Sequence, residues 1–114
     1  MLAVGLLRKP VGLNKTEARY WGRLVLARHR GEVEDFRFHA LTFILGPDCR
    51  YTPEAFVLRP DGTMEMHEVK GPFIRSGDDG MVKLRVACRM FPMFRWFLAQ
   101  EGKDKVWTLT EMTP

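Results

Sequence analysis

The chain has little of what would tie a fold together from outside its core. It carries two cysteines, Cys49 and Cys88, and neither has neighbours at zinc-ligand spacing, so a disulfide framework and a zinc-stapled domain are both excluded. Cys88 falls in an expected helix and reads as a small core residue, whereas Cys49 is expected in a loop. No apolar run approaches the roughly 20 residues that a membrane-crossing helix needs. The apolar opening, residues 1–7, is short, and its basic residues follow rather than precede it, which argues against a secretion signal. No membrane partner and a cytoplasmic location are therefore expected. There is also no glycine-rich phosphate loop, no Ser/His/Asp set and no internal repeat, so nucleotide-loop chemistry, triad hydrolysis and a repeat architecture drop out.

What is present is an ordinary globular composition with a basic excess. Of 114 residues, 46% are hydrophobic and 28% charged, which bounds the chain to one domain with enough apolar side chains for its own core. Lysine and arginine total 18 against 14 acidic residues, a net charge of +4 that suits a polyanionic partner without establishing one. Residues 1–13 hold an apolar patch broken by Gly5, Pro10 and Gly12; an edge strand, a tail packed on the core and an arm exchanged with a second subunit all remain open for them. Residues 14–98 are expected to form the core and residues 99–114 a last strand and tail.

The most informative stretch is YTPEAFVLRPDGTMEMHEVK, residues 51–70. Pro60-Asp61-Gly62 is turn chemistry: proline presets φ at the first corner, aspartate suits the second, and glycine accepts the positive φ that closes a bulged turn. Such a turn pairs Arg59 with Thr63, so Leu58 faces Met64, Phe56 faces Met66, Glu54 faces Glu68 and Thr52 faces Lys70, all on one side of the hairpin. The turn end of that side, Phe56, Leu58, Met64 and Met66, is expected to press on a core. Its far end sets two carboxylates opposite each other, where like charges destabilise unless a cation, a shared proton or a close lysine intervenes. A register slip of one residue or a solvated rim would remove that juxtaposition.

The remaining elements are coarser. Residues 14–30 read as a helix capped by Asn14 and stopped by Gly31, with Trp21, Leu24, Val25 and Arg28 at helical spacing. Asn14-x-x-Glu17 matches a capping box, in which the glutamate bonds back to the cap. Arg19, Arg23, Arg28 and Arg30 are expected outside, as a solvated surface or a phosphate track. Residues 36–45 read as the first strand. His39 on it reads as structural, and His67 should point away from the carboxylates because it takes the opposite face from Glu68. Residues 79–90 read as a second helix capped by Asp78 or Asp79, burying Met81, Leu84, Ala87, Cys88 and Phe91 and exposing Arg85 and Arg89. Lys83 near its start opposes the helix dipole and hints at an anion nearby. Residues 94–98 and 106–109 read as strands. The order gives an α/β fold: a small mixed β-sheet flanked by helices.

Pro53-Glu54, followed fourteen residues later by Glu68-Val69-Lys70, resembles the two-part signature of the PD-(D/E)XK, or restriction-endonuclease-like, nuclease superfamily. With NKTEARYW, YTPEAFVL, HEVKG and MVKLRVACRMFP around it, the chain is similar to small phage-encoded endonucleases and Holliday-junction resolvases over residues 14–98. The resemblance implies an αβββαβ core and a Mg2+-dependent endodeoxyribonuclease, with Mn2+ as a substitute. It implies DNA as partner, branched or junction DNA as substrate, a homodimer, and a phage-infected or prophage-bearing bacterial host. Carried onto this chain, it makes Glu54 and Glu68 metal ligands with the Val69 carbonyl as a third, makes Glu17 a ligand for the same or a second ion, and gives Lys70 the role of positioning the water or stabilising the developing charge. Arg75, Lys83 and Arg85 are the expected phosphate contacts. The chain departs from the pattern at Glu54, where the family usually has aspartate.

Overall fold

The computed structural model describes residues 9–114. Residues 1–8, most of the expected N-terminal arm, lie outside the described part. The elements follow in the order α1 (Lys15–His29), β1 (Asp35–Phe38), β2 (Phe43–Gly46), β3 (Cys49–Tyr51), β4 (Ala55–Leu58), β5 (Met64–Lys70), α2 (Asp79–Met90), β6 (Arg95–Glu101) and β7 (Trp107–Met112). Five strands make one mixed sheet in the order β1-β4-β5-β6-β7, and β2 and β3 form a separate two-stranded hairpin. Within the large sheet only β5 and β6 run parallel, joined through α2. Among the described residues no helix is long and apolar enough to cross a membrane.

The turn fixes the central hairpin as its chemistry predicts. Arg59 N–H donates to the Thr63 carbonyl at 2.9 Å, Gly62 takes φ +90°, and Leu58 pairs with Met64 and Phe56 with Met66. Upstream of Ala55 the expected strand breaks. Residues 49–51 belong to β3 and pair with β2, so Thr52 does not face Lys70; its hydroxyl meets that of Thr42 at 2.7 Å. Pro53 is the physical cause, because it has no N–H to give a ladder and it is fully buried at the crossing between the two sheets. The expected strand over residues 36–45 splits in the same way: β1 ends at Phe38, and His39 turns the chain at φ +53° before β2 begins.

Alternation along β5 sends its residues to two different cores. Met66 packs with Phe43, Tyr51, Leu84, Ala87, Cys88, Trp96 and Leu98 on the α2 side. Val69 packs with Tyr20, Leu24, Val33, Phe36, Ala55, Val57 and Ala99 on the α1 side. Each fully buried large side chain contributes about 1.5–3 kcal/mol by leaving water. Of the expected α1 stripe Leu24 is buried and Trp21 and Val25 pack at the rim, while Tyr20, outside that stripe, is the other buried residue. The turn end of the hairpin is also less covered than its sequence implies. Met64 is 40% exposed, because α2 reaches Met66 but not the turn.

Both helices carry the caps their sequences call for. Asn14 and Glu17 form the reciprocal capping box of α1, and Asp78 caps α2 by accepting from Met81 N–H at 3.0 Å. Each cap satisfies backbone donors that the first turn leaves orphaned.

Candidate carboxylate and lysine site

The hairpin delivers Glu54 and Glu68 to one side of the sheet, at the end of β5 where α2 begins. Glu54 immediately precedes β4. Its Oε2 accepts from the Val69 N–H at 3.2 Å, which ties it across the ladder beside the Glu68 carboxyl. Glu68 is almost fully buried at 3% exposure. Burial and the neighbouring Glu68 charge, with a hydrogen bond between the two carboxyls, push the Glu54 acid up to about 9. The pair therefore holds one proton between two carboxyls at neutral pH, which is the shared-proton solution to like charges in a poorly solvated place.

Three further groups complete the surroundings of Glu68. The Tyr51 hydroxyl, brought in by the β2–β3 hairpin, donates to Glu68 Oε1 at 2.5 Å. Burial and the adjacent Glu68 charge raise this phenol far above its ordinary range, so it stays a donor. Lys70 Nζ lies 3.4 Å from Glu68 Oε2 and 3.0 Å from Asp78 Oδ1. Burial works against the Lys70 ammonium, but the Asp78 hydrogen bond and the charges of Glu68, Asp78 and Glu54 outweigh it and raise its pKa. Asp78 is held below the usual carboxylate range by Lys70 and by the backbone it caps. Gly80, in the first turn of α2, closes the site from above: a Cβ there would stand 2.3 Å from Glu68 Oε2 and 3.1 Å from Lys70 Nζ.

The other expected residues are placed as follows. Glu17 closes the α1 capping box, with its backbone N–H donating to Asn14 Oδ1 at 2.8 Å and its Oε1 accepting from Asn14 N–H at 3.3 Å. It does not join Glu54 and Glu68: among the described residues no three His, Cys, Asp or Glu side chains gather as a metal-holding group. Val69 belongs to β5, between Glu68 and Lys70. Arg75 is exposed in the loop before α2, and Arg85 is exposed on the outer side of that helix. The Lys83 ammonium pairs with Asp79 at 3.2 Å, so a carboxylate of its own helix answers the charge that looked misplaced.

Several participants were not marked by sequence reading. Tyr51, Asp78 and Gly80 have no spacing that assigns them to Glu68, although Asp78 was visible as a cap. A second polar cluster on the opposite face was also missed. The fully buried His67 meets the Tyr20 hydroxyl at 2.6 Å through Nδ1 and Glu65 Oε1 at 2.9 Å through Nε2, and Arg59 clamps Glu65 with two bonds. His67 does point away from Glu54 and Glu68, as the alternation requires, and burial lowers its pKa. The alternating Glu65-x-His67 on β5 was the available signal, but in an isolated strand it reads equally well as a solvent face.

Compared with protein-family models, curated proteins and solved structures, the chain matches none.

Two carboxyls sharing one proton make an acceptor set that a divalent cation could take over by displacing the proton. Mg2+ is held by one or two carboxylates and keeps several waters, so Glu54 and Glu68 fit it as donors without a third side chain. Lys70 sets a fixed positive charge beside the same oxygens.

Proposed function

We propose that this chain is a metal-dependent DNA endonuclease of the PD-(D/E)XK, restriction-endonuclease-like superfamily, hydrolysing phosphodiester bonds in branched DNA. The observation that carries this reading is the Glu54–Glu68 pair with Lys70 beside it at the carboxyl end of β5. Three features support it. The pair sits where β5 meets the start of α2, and the carboxyl ends of parallel strands are the usual ligand-binding edge of α/β sheets. The order of α1, β1, β4, β5, α2 and β6 follows the αβββαβ sequence of that superfamily, with the β2–β3 hairpin inserted. The basic excess suits a polyanion.

In this reading Glu54 and Glu68 hold Mg2+, or Mn2+ in its place, with the Val69 carbonyl as a further oxygen. The bound cation supplies charge neutralisation at the phosphoryl oxygens and a more acidic water. Lys70, held by Asp78, faces the charge that develops on the scissile phosphate. Tyr51 fixes the Glu68 carboxylate by donating to one of its oxygens and leaves the other directed to Lys70. Arg75 in the loop before α2 and Arg85 on that helix offer positive charge to the DNA backbone, with Lys83 near the helix start. A homodimer would supply the two cuts that a junction needs.

A catalytically weakened nucleic-acid-binding protein of the same fold is the second reading. The proton on Glu54 and the use of Glu17 as a cap favour it, since both leave fewer free carboxylate oxygens for a cation. Cleavage of linear, flap and four-way DNA, with Mg2+ or Mn2+, by the wild type, Glu68→Ala and Lys70→Ala separates the two. The nuclease reading expects metal-dependent cutting that both variants lose while still binding DNA. Firm binding by the wild type with no cutting in either metal would replace it by the second reading.

A further inference from the structure

We propose that the outer face of α1 and the start of β7 form a second DNA-binding cleft, which takes a single strand with one base stacked on Trp107. This goes beyond the carboxylate site, because α1 and α2 pack on opposite faces of the sheet.

The cleft encloses about 530 Å³, room for a nucleotide, and is lined by Arg19, Gly22, Arg23, Leu26, Arg30 and Trp107 among others. Arg19, Arg23 and Arg30 recur at helical spacing along one side of α1, so they present a row of guanidinium groups rather than a scatter. Arg19 is locked in place by the buried Glu101, whose two oxygens accept from its Nε and Nη2, each at 2.7 Å. Arg23 and Arg30 are exposed, and among the described residues neither forms an ion pair. Glu32 is the one acidic side chain in the lining. The row therefore keeps a net positive charge, which complements a phosphate backbone.

Trp107 supplies the other half of a single-strand site. Its ring packs 4.7 Å from that of Tyr20, whose hydroxyl is itself pinned by His67, so the indole is held firmly while part of it borders the cleft. A rigid, half-buried aromatic beside a row of cations is the combination that binds unpaired bases without reading their sequence. Gly22 is the independent indication. It lies in the middle of α1, where glycine is the poorest ordinary helix former, yet a Cβ there would meet nothing within 4 Å. Packing does not require the glycine, and its effect is to leave the floor of the cleft open between the arginines.

Single-stranded DNA is the occupant that fits both features, and fluorescence anisotropy with an oligothymidylate of about 16 nucleotides and a duplex of equal length tests it. The binding is measured in EDTA, so its result is separate from whether the chain cleaves DNA. The wild type is expected to prefer the single strand. Arg23→Ala/Arg30→Ala should weaken binding roughly tenfold and lower the salt slope by about 1.4, the value for two lost single-strand phosphate contacts. Gly22→Gln should fill the floor and weaken binding comparably, with an unchanged or higher melting temperature showing that the fold survives. Trp107→Phe, which keeps a ring against Tyr20, should retain more affinity than Trp107→Ala. Failure of the wild type to bind the oligothymidylate, preference for the duplex, or wild-type affinity in both the double arginine variant and Gly22→Gln would each overturn the proposal.

Discussion

At the scale of single residues, Gly80 and Glu54 carry the sharpest consequences. Gly80 is required by closeness rather than by backbone conformation, since an added Cβ would overlap Glu68 Oε2 at 2.3 Å. Glu68 cannot swing aside freely, because Tyr51 holds its other oxygen. Gly80→Ala is therefore expected to cost about 1–3 kcal/mol despite the better helix propensity of alanine, read as a lower urea midpoint. Tyr51→Phe combined with Gly80→Ala should cost less than the sum of the two, because the freed carboxylate can then move. Glu54 gives a pH prediction whose sign follows from its raised pKa. The folded chain keeps the Glu54 proton up to about 9 while the unfolded chain releases it near 4.5, so the folded state binds more protons in that window. Its contribution is fully present below 4.5 and is lost as pH rises through about 9. Metal-free protein should lose stability towards alkaline pH by thermal or urea unfolding. Glu54→Gln, which mimics the protonated acid, should flatten that loss.

At the scale of elements, the two helices test how far a cap explains a glutamate. Glutamine also closes a capping box, so Glu17→Gln should leave the melting temperature nearly unchanged while Asn14→Ala costs about 0.5–2 kcal/mol. If Glu17→Gln abolished DNA cleavage at full stability, the glutamate would act at the metal site and not only as a cap. Local chemistry made the caps and the central turn legible: Asn14, Asp78 and Pro60-Asp61-Gly62 each act on their own backbone, and the hairpin register follows from the turn. The break at Pro53 was not legible in the same way. An apolar run such as residues 36–45 looks like one strand, because periodicity does not say which of two sheets each half joins. The buried Glu65–His67–Tyr20 cluster was hidden for a related reason, since its partners come from α1 and the far side of the turn. Tyr51 reached the carboxylate site only because the β2–β3 hairpin folds over the α2 side of the sheet.

At the scale of the whole molecule, the sheet divides two chemistries. The α2 face gathers acidic oxygens and one lysine at the end of β5, and the α1 face presents arginines beside Trp107. Exposed arginines stand on both sides, Arg23 and Arg30 by α1 and Arg85 and Arg89 on α2, so the basic excess visible in composition is shared between the two faces. Metal-dependent cleavage requires that the Glu54–Glu68 pair be a cation site and not a closed structural acid pair. Calorimetric titration with Mg2+ and Mn2+ in buffers of different protonation enthalpy measures this directly. Exchange of the shared proton for the cation predicts release of about one proton per ion bound at neutral pH, with affinity rising about tenfold per pH unit and lost in Glu68→Gln. Absence of binding by either ion up to alkaline pH, or binding without proton release that survives Glu68→Gln, would contradict it.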